Sequence, residues 1–519
     1  MGPARTSERP PDPVRKESEM NVATLLDKLP IIAQIGPTDL TVAALCNDSR
    51  QARSGAAFFA LRGLTQDGHD YIPQALQQGA KIIFMEKPVS LPVDCCGIVV
   101  TDCRKALSLA AAEFYGHPEA KLCMVGVTGT NGKTTTTYLI EAILRAAGKA
   151  PAVLGTVSYR YNDLQQEASH TTPDAIELFA ALATFRQHGA TAAVMEVSSH
   201  ALHQYRVEGI RFDAAVFTNL TPEHLDYHTD MEEYFAAKRL LFAERLKPGR
   251  RAALCIDDAY GERLVAEFPD AVTCGLAARA AVHPHEIKLS LDGIHGTFAS
   301  PLGLLRIDSR MVGPFNLQNL LCAVAAGVAL NLPPQAIEAG IAAAHAVPGR
   351  LERVENASGA LILVDYAHTG DALEKALAAV ATLKPQRIIT VFGCGGDRDR
   401  RKRPVMGEIA ARHSQLAIVT SDNPRTEDPQ AIIAEIETGV RLIHPHRLSE
   451  TEIRQGANGY LVVPDRRQAI RLAVSILTAG DLLLVAGKGH EDYQIIGKEK
   501  FHFDDREELR AALSAGGPS

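Results

Sequence analysis

GVTGTNGKTTTTYL, residues Gly126–Leu139, follows a short apolar run and leads into a helix-forming segment. Strand, glycine-rich loop and helix in that order turn backbone N–H groups toward a phosphate, at the positive end of the helix dipole. The common phosphate-loop pattern, G-x-x-x-x-G-K-[ST], wants a glycine five residues before Gly132. Val127 stands there, and the glycine lies one earlier, at Gly126. Gly129 and Gly132 supply backbone freedom. Lys133 is placed to reach the β- and γ-phosphates of a nucleotide, and Thr134 to hold Mg²⁺.

Around this loop lies a chain of 519 residues, which suggests about three domains. It is 46% hydrophobic and 22% charged, an ordinary globular balance. A net charge of −7 gives no overall pull toward nucleic acid or anionic lipid. No apolar run reaches the roughly 18 residues of a membrane helix. The first twenty residues, MGPARTSERPPDPVRKESEM, are proline-rich and charged, without the apolar core of a secretory signal. They read as a disordered tail, with Met20 an alternative start, on a cytoplasmic protein. Nine cysteines, an odd count with no C-x-x-C pair, read as scattered buried thiols rather than a zinc or disulfide framework.

In residues 21–117, GAAFFALRG, KIIFME and GIVVTD read as strands, and YIPQALQQG and CRKALSLAAAEFYG as helices, giving a small α/β domain. HPEAK, His117–Lys121, reads as a linker. Residues 118–349 open with LCMVGVT and continue through the strands APAVLGTV, ATAAVMEVS, DAAVFTNL and RAALCID. Residues 350–519 repeat the rhythm in ALILVDYA, RIITVFGCGG, QLAIVTSDNP, GYLVVPD and DLLLVAGKG. Strands alternating with helices imply parallel, doubly wound sheets. The expected fold is α/β in three domains, the central one a P-loop ATPase-like doubly wound sheet and the C-terminal one Rossmann-like.

A magnesium–phosphate site needs oxygen ligands. AAVMEVSSH ends a strand near Glu196, which suits a second metal ligand or a structural glutamate. TNLTPEHLDYH follows another strand and offers His224, Asp226 and His228; alone, these read as readily as surface or core residues.

Together these segments resemble the Mur ligases, ATP-dependent amide-forming enzymes of peptidoglycan precursor synthesis. That family's loop reads T-G-T-N-G-K-[TS], as Thr128–Thr134 does here, so the displaced glycine is the family's own form. The resemblance runs through MEVSSHAL, TNLTPEHLDYH, YFAAKRLLF, GPFNLQN, VPGRLE and DYAHTGDALEKAL, nearly the whole chain after the tail. One departure is Gly370, where the family usually has proline.

The resemblance implies ATP as co-substrate, held by Gly129, Thr130, Asn131, Gly132, Lys133, Thr134 and Thr135, with Asn319, Arg350 and Asp365 near the nucleotide. It implies Mg²⁺ on Thr134, Glu196, His224 and Lys238, the last carrying a CO₂-derived carbamate. A carbamate is an anionic oxygen ligand, whereas an ammonium would repel the ion; on the residues alone, Lys238 is a lysine on an amphipathic helix. Lys133, Lys238, Glu196 and His224 are the implied catalytic set. The second substrate implied is UDP-N-acetylmuramoyl-L-alanyl-D-glutamate. Its uridine end falls to Asn47, Ser49, Leu64, Thr65 and Gln66, and its peptide end to His170, Thr171, Thr172, Ser198, Gln204 and Arg206. Close relatives often carry asparagine where His170 stands. The two threonines alone would also serve to cap a helix starting near Pro173.

Members of that family differ in the amino acid they add. GCGGDR, SDNPR and AGKGHED sit at strand ends, where open α/β sheets bind ligands. SDNPRTEDP resembles the signature of the branch that adds meso-diaminopimelate, with Asp422, Asn423, Pro424 and Arg425 in matching places. Diaminopimelate has one carboxylate more than lysine, and a guanidinium fork built to bind it would be left unpaired by lysine. Arg398 and Arg425 are the expected carboxylate partners, Glu491 the ammonium partner, and Gly487 a backbone contact. The bland reading of Arg398 is a solvated charge in DRDRRKRP. A monomer is expected, whose C-terminal domain swings in to join the substrates. The rivals are a lysine-adding ligase, a folylpolyglutamate synthase-like enzyme, a P-loop switch or motor, and a UDP-sugar-binding protein. The last needs no phosphate loop, and the switch has no use for three strand-end motifs.

Overall fold

The computed structural model describes residues 19–63, 66–225, 227–290, 292–344 and 347–515. Most of the expected tail, and Leu64, Thr65 and Asp226, lie outside the described residues. The α/β class is the one expected. The chain forms two compact units. One is the chain up to His283 with Ser300–Leu302 and Leu321–Gly340; the other is Pro284–Ala299, Gly303–Leu320 and the chain from Ile341 onward.

The first unit contains two large sheets. The smaller runs in the order Ile31–Ile35, Cys96–Val100, Ile82–Met85, Ala56–Phe59, Ala44–Cys46, parallel except for the first strand. The larger runs Leu164–Glu167, Ser158–Tyr161, Pro151–Leu154, Ala192–Glu196, Cys123–Thr128, Ala214–Phe217, Ala252–Cys255, Val272–Cys274. Its last six strands are parallel, and a hairpin closes the other edge. Ala192–Glu196, Ala214–Phe217 and Ala252–Cys255 are buried at every position, as parallel strands covered on both faces must be.

Cys123–Thr128 is flanked by Ala192–Glu196 on one side and Ala214–Phe217 on the other. The chain leaves it through the helix Lys133–Ala146 toward one side and later returns on the other. Its carboxyl end is therefore a topological switch point, where such sheets bind ligands. The helix ends at Ala147, its capping residue, and Gly148 takes the left-handed conformation after it, φ 74°.

The expected linker is structured. Pro118–Lys121 forms a short 3₁₀ turn with Pro118 and Glu119 buried, and His117 bonds Glu119 at 3.0 Å and Glu113 at 2.8 Å. Nor do Thr171 and Thr172 cap a helix: the helix Ala175–Gln187 is capped by Asp174, whose side chain accepts from the Glu177 N–H.

The second unit carries a six-stranded sheet in the order Glu352–Arg353, Leu361–Asp365, Asp481–Ala486, Arg387–Phe392, Leu416–Val419, Gly459–Val462, parallel except for the first. The last strand in sequence, Asp481–Ala486, returns between the first two long ones. The segments after Phe392, Val419 and Ala486 thereby emerge at one edge.

No helix among the described residues is long and apolar enough to cross a membrane. All nine cysteines are free, eight of them buried. Cys255, Cys274 and Cys322 meet, which corrects the reading of scattered thiols.

Candidate active site

The phosphate loop is a backbone structure fastened to the next strand. Gly129 has φ 147°, and a Cβ there would lie 1.9 Å from Thr218 Oγ1, so only glycine fits. Gly132 begins the helix at φ 83°. Thr218 Oγ1 donates to the Asn131 carbonyl at 2.6 Å, Asn131 N–H donates to Asn219 Oδ1 at 2.9 Å, and Thr130 N–H to the Asn219 carbonyl at 2.9 Å. Lys133 Nζ folds back onto the carbonyls of Gly129, at 3.0 Å, and Thr130, at 2.8 Å. Thr134 and Thr135 are buried in the first helical turn.

Lys238 also reaches this loop. It lies on the helix Met231–Ala243, is 1% exposed, and donates to the Gly129 carbonyl at 2.9 Å. Burial, helped by the Lys133 cation, drives its amine well below the ordinary lysine range. Its Nζ sits 4.5 Å from the Tyr234 ring centre. Tyr234 also shares a hydrogen bond with Thr130 at 3.2 Å and lies 5.9 Å, ring to ring, from His224. His224 has φ 58° and a side chain 40% exposed.

Glu196 ends its strand one ladder position from the loop, paired with Val127. It is 1% exposed, and its carboxylate accepts from the Thr156 N–H at 2.8 Å and hydroxyl at 3.2 Å. Thr156 Oγ1 in turn meets Thr171 Oγ1 at 3.1 Å. Thr172 Oγ1 bonds the Glu196 carbonyl at 2.9 Å and Ser198 Oγ at 3.3 Å. Arg206 donates to the Thr172 carbonyl at 2.8 Å and to Gln204 Oε1 at 2.9 Å. The structure thus brings Thr171, Thr172, Ser198, Gln204 and Arg206 together beside Glu196. His170 is exposed, with its backbone held by the Tyr159 hydroxyl. Asn47, Ser49 and Gln66 belong to loops and a 3₁₀ turn between the N-terminal strands, where Ser49 Oγ donates to Gln74 at 2.8 Å and Asn47 and Gln66 are exposed.

Asn319, Arg350 and Asp365 belong to the second unit. Asn319 is buried and donates to Asn316 Oδ1 at 3.0 Å. Asp365 accepts from the Leu351 N–H at 2.7 Å and the Ala367 N–H at 2.8 Å, so it organises the loop carrying Arg350. Burial raises its carboxyl, while the Arg350 guanidinium opposes the rise. Arg350 lies over the Tyr366 ring at 5.4 Å.

The three strand-end motifs of the second unit converge as expected. Asn423 is the hub: its amide donates to Glu491 Oε2 at 2.9 Å, and its oxygen accepts from Lys488 Nζ and the Ile495 N–H, both at 3.0 Å. Lys488, fully buried, pairs with Asp422 at 3.3 Å. Burial works against Asp422, but Lys488 and Arg466 outweigh it and hold the carboxyl below its usual range. Burial raises Glu491, and the Asp422 charge adds to the rise. Gly487, φ 119°, passes beside Asp422, where an added Cβ would lie 3.5 Å from Oδ2. Arg425, which follows Pro424, has φ 51°; its N–H donates to the Ile495 carbonyl at 3.0 Å, and its guanidinium to the Gly396 carbonyl at 2.8 Å. Arg398 is exposed, and its Cγ would lie 3.9 Å from a Cβ on Gly395, which would also meet Arg425 Nη1 at 2.9 Å.

Several supporting residues escaped the sequence reading. Lys488 lies inside AGKGHED, but nothing in the motif says that it is buried. Arg466, bound to Asp505 by two hydrogen bonds of 2.7 Å, comes from a helix with no motif at all. Tyr234 and Thr156 are ordinary residues until the fold sets them beside Lys238 and Glu196.

Comparison with known proteins agrees in order along the chain. The Mur ligase family catalytic domain matches residues 41–115, the Mur ligase middle domain 127–327, and the Mur ligase glutamate ligase domain 349–489. A Geobacter metallireducens protein named UDP-N-acetylmuramoyl-L-alanyl-D-glutamate--2,6-diaminopimelate ligase is 54% identical, over 92% of this chain and 95% of its own. A Geobacter sulfurreducens protein of the same name is 53% identical, over 93% and 96%. A solved structure bearing that enzyme's name is 31% identical, with a TM-score of 0.71, covering 96% of this chain and 100% of its own.

Proposed function

The chain belongs to the Mur ligase family, and on that premise we propose that it uses ATP to join meso-diaminopimelate to UDP-N-acetylmuramoyl-L-alanyl-D-glutamate, in cytoplasmic peptidoglycan precursor synthesis. The observation that carries the choice of amino acid is the Asp422–Arg425 turn. Its arginine is held by its own backbone hydrogen bonds, beside a buried network that ends on Glu491.

The amide is made in two displacements. The D-glutamyl γ-carboxylate attacks the γ-phosphorus of ATP; the new O–P bond forms as the bond to ADP breaks, leaving an acyl phosphate. The neutral amine of diaminopimelate then attacks the acyl carbon; the C–N bond forms, phosphate leaves, and the amine gives up a proton. Positioning and charge neutralisation are the protein's main contribution. Lys133 and the loop N–H groups face the transferred phosphoryl group. Thr172, Ser198 and Arg206 orient the peptide carboxylate. Arg398 and Arg425 take the distal carboxylate of diaminopimelate, and Glu491 its ammonium.

The residues present suit a hard cation. Thr134 and Glu196 offer oxygen, and His224 a nitrogen. Lys238, buried and favoured as the neutral amine, is chemically ready to add CO₂, losing a proton to become a carbamate oxygen donor. These four would hold Mg²⁺, which when bound offsets phosphate charge.

Phosphate release with the UDP-linked dipeptide, ATP and either meso-diaminopimelate or L-lysine tests the reading, with product mass measured. A tripeptide only with diaminopimelate is expected. Product with lysine would keep the ligase and overturn the role of Arg425, and hydrolysis indifferent to both would overturn the ligase. Absence of ¹⁸O transfer from the substrate carboxylate to phosphate would remove the acyl-phosphate step.

A further inference from the structure

Cys255 and Cys274 each end a strand and are direct partners in the parallel ladder, so their side chains stand on the same face of the sheet. Cys322, from the helix Pro314–Ala329, comes down on them, its sulfur 3.8 Å from that of Cys274. The three sulfur atoms lie within 4.8 Å of one another. Asp257, exposed at the carboxyl edge of the sheet, brings Oδ2 to 3.7 Å from the Cys255 sulfur, while its Oδ1 is fixed by the Leu276 N–H at 2.8 Å.

We propose that Cys255, Cys274, Cys322 and Asp257 form a binding site for a thiophilic divalent cation, Zn²⁺, separate from the phosphate loop and structural in role. A tetrahedral ion with metal–sulfur bonds of about 2.3 Å sets its sulfurs roughly 3.8 Å apart, the Cys274–Cys322 spacing. Three thiols from three separate elements, none close in sequence, meet at one point with a carboxylate at the lip. Zn²⁺ replaces the thiol protons, and its charge compensates the thiolates that burial alone would disfavour. The ion would tie two strand ends to the helix above them.

The test is titration of the full-length, reduced protein with Cd²⁺ as a spectroscopic probe, followed by competition with Zn²⁺. One equivalent should produce sulfur-to-cadmium charge-transfer absorption, and Zn²⁺ should abolish it. Cys322→Ala and Cys274→Ser should lose the band; Cys394→Ala, a buried thiol of the other unit, should keep it. Asp257→Asn changes an exposed side chain, so folding is not at stake, and should weaken Cd²⁺ binding by about tenfold or more. Absence of the band, or a band that survives Cys322→Ala, overturns the site. A protein two hydrogens lighter, with no band, overturns it in favour of a Cys274–Cys322 disulfide.

Discussion

On the proposed reading, the phosphate loop and the Asp422–Glu491 pocket serve the two halves of one reaction, yet they are built of different material. The loop is backbone: Gly129 and Gly132 set its path, and Thr218 and Asn219, just past the end of the neighbouring strand, lash it in place. The pocket is side chain: Lys488, Asp422, Asn423 and Glu491 from two strand ends, braced by Arg466 on Asp505. A backbone site is tuned to what all nucleotides share. A side-chain site is tuned to one substrate, and that is where members of one family diverge.

The largest effect belongs to the loop. Lys133→Met should lower kcat/KM by about 1000-fold, because a charge aimed at the transferred phosphoryl group has no substitute in the backbone. Phosphate release at saturating amino acid reads it. A loss below about tenfold would mean that the loop N–H groups suffice and that the contrast between the sites is sharper still.

Next comes the pocket's own cohesion. Lys488→Met leaves Asp422 buried and ionised without its partner. It should cost about 3 kcal/mol, the low end of the range for breaking a buried pair, because Arg466 still favours the charge. Urea unfolding followed in the second unit measures it. A loss under about 1 kcal/mol would show that the network positions substrate without holding the fold.

Arg425→Lys should be milder and more selective. Lysine keeps a cation but loses the planar fork, so the KM for diaminopimelate should rise by about 50-fold with kcat little changed. A fall in kcat at constant KM would instead make Arg425 part of the chemistry and erase the division between the two sites.

The same contrast governs what the sequence discloses. The loop is contiguous, so its glycines, Lys133 and Thr134 are readable from one stretch, as is the parallel α/β pattern from buried apolar runs. The pocket is readable only where its motifs are contiguous, as in Asp422–Arg425. Lys488 becomes meaningful once burial is known, and Arg466 once the helix from Arg466 to Ser475 is laid against Asp505. Cys255, Cys274 and Cys322 are 19 and 48 residues apart, so no spacing rule announces them. Glu196 is readable as a strand-end carboxylate, but its clamp by Thr156 depends on strand order.

The smallest effect is a pH dependence confined to the side-chain site. His490 follows Lys488 and Gly489, stacks near Tyr366 at 4.9 Å between ring centres, and has its imidazole pushed down to about 4, by burial first and then by Arg350 and Arg506. Between pH 6.5 and 4 the unfolded chain therefore binds a proton that the folded state refuses. Stability from this group is complete above about pH 6.5 and is lost as pH falls toward 4. His490 is partly exposed, so solvent reduces the effect to about 1–2 kcal/mol. Comparing urea midpoints of the wild type and His490→Gln at pH 7 and pH 4.5 isolates it from the carboxylates that titrate in both. The wild type should lose more on acidification. Equal losses would remove His490 from the pocket's electrostatics and leave the Asp422 network to carry them.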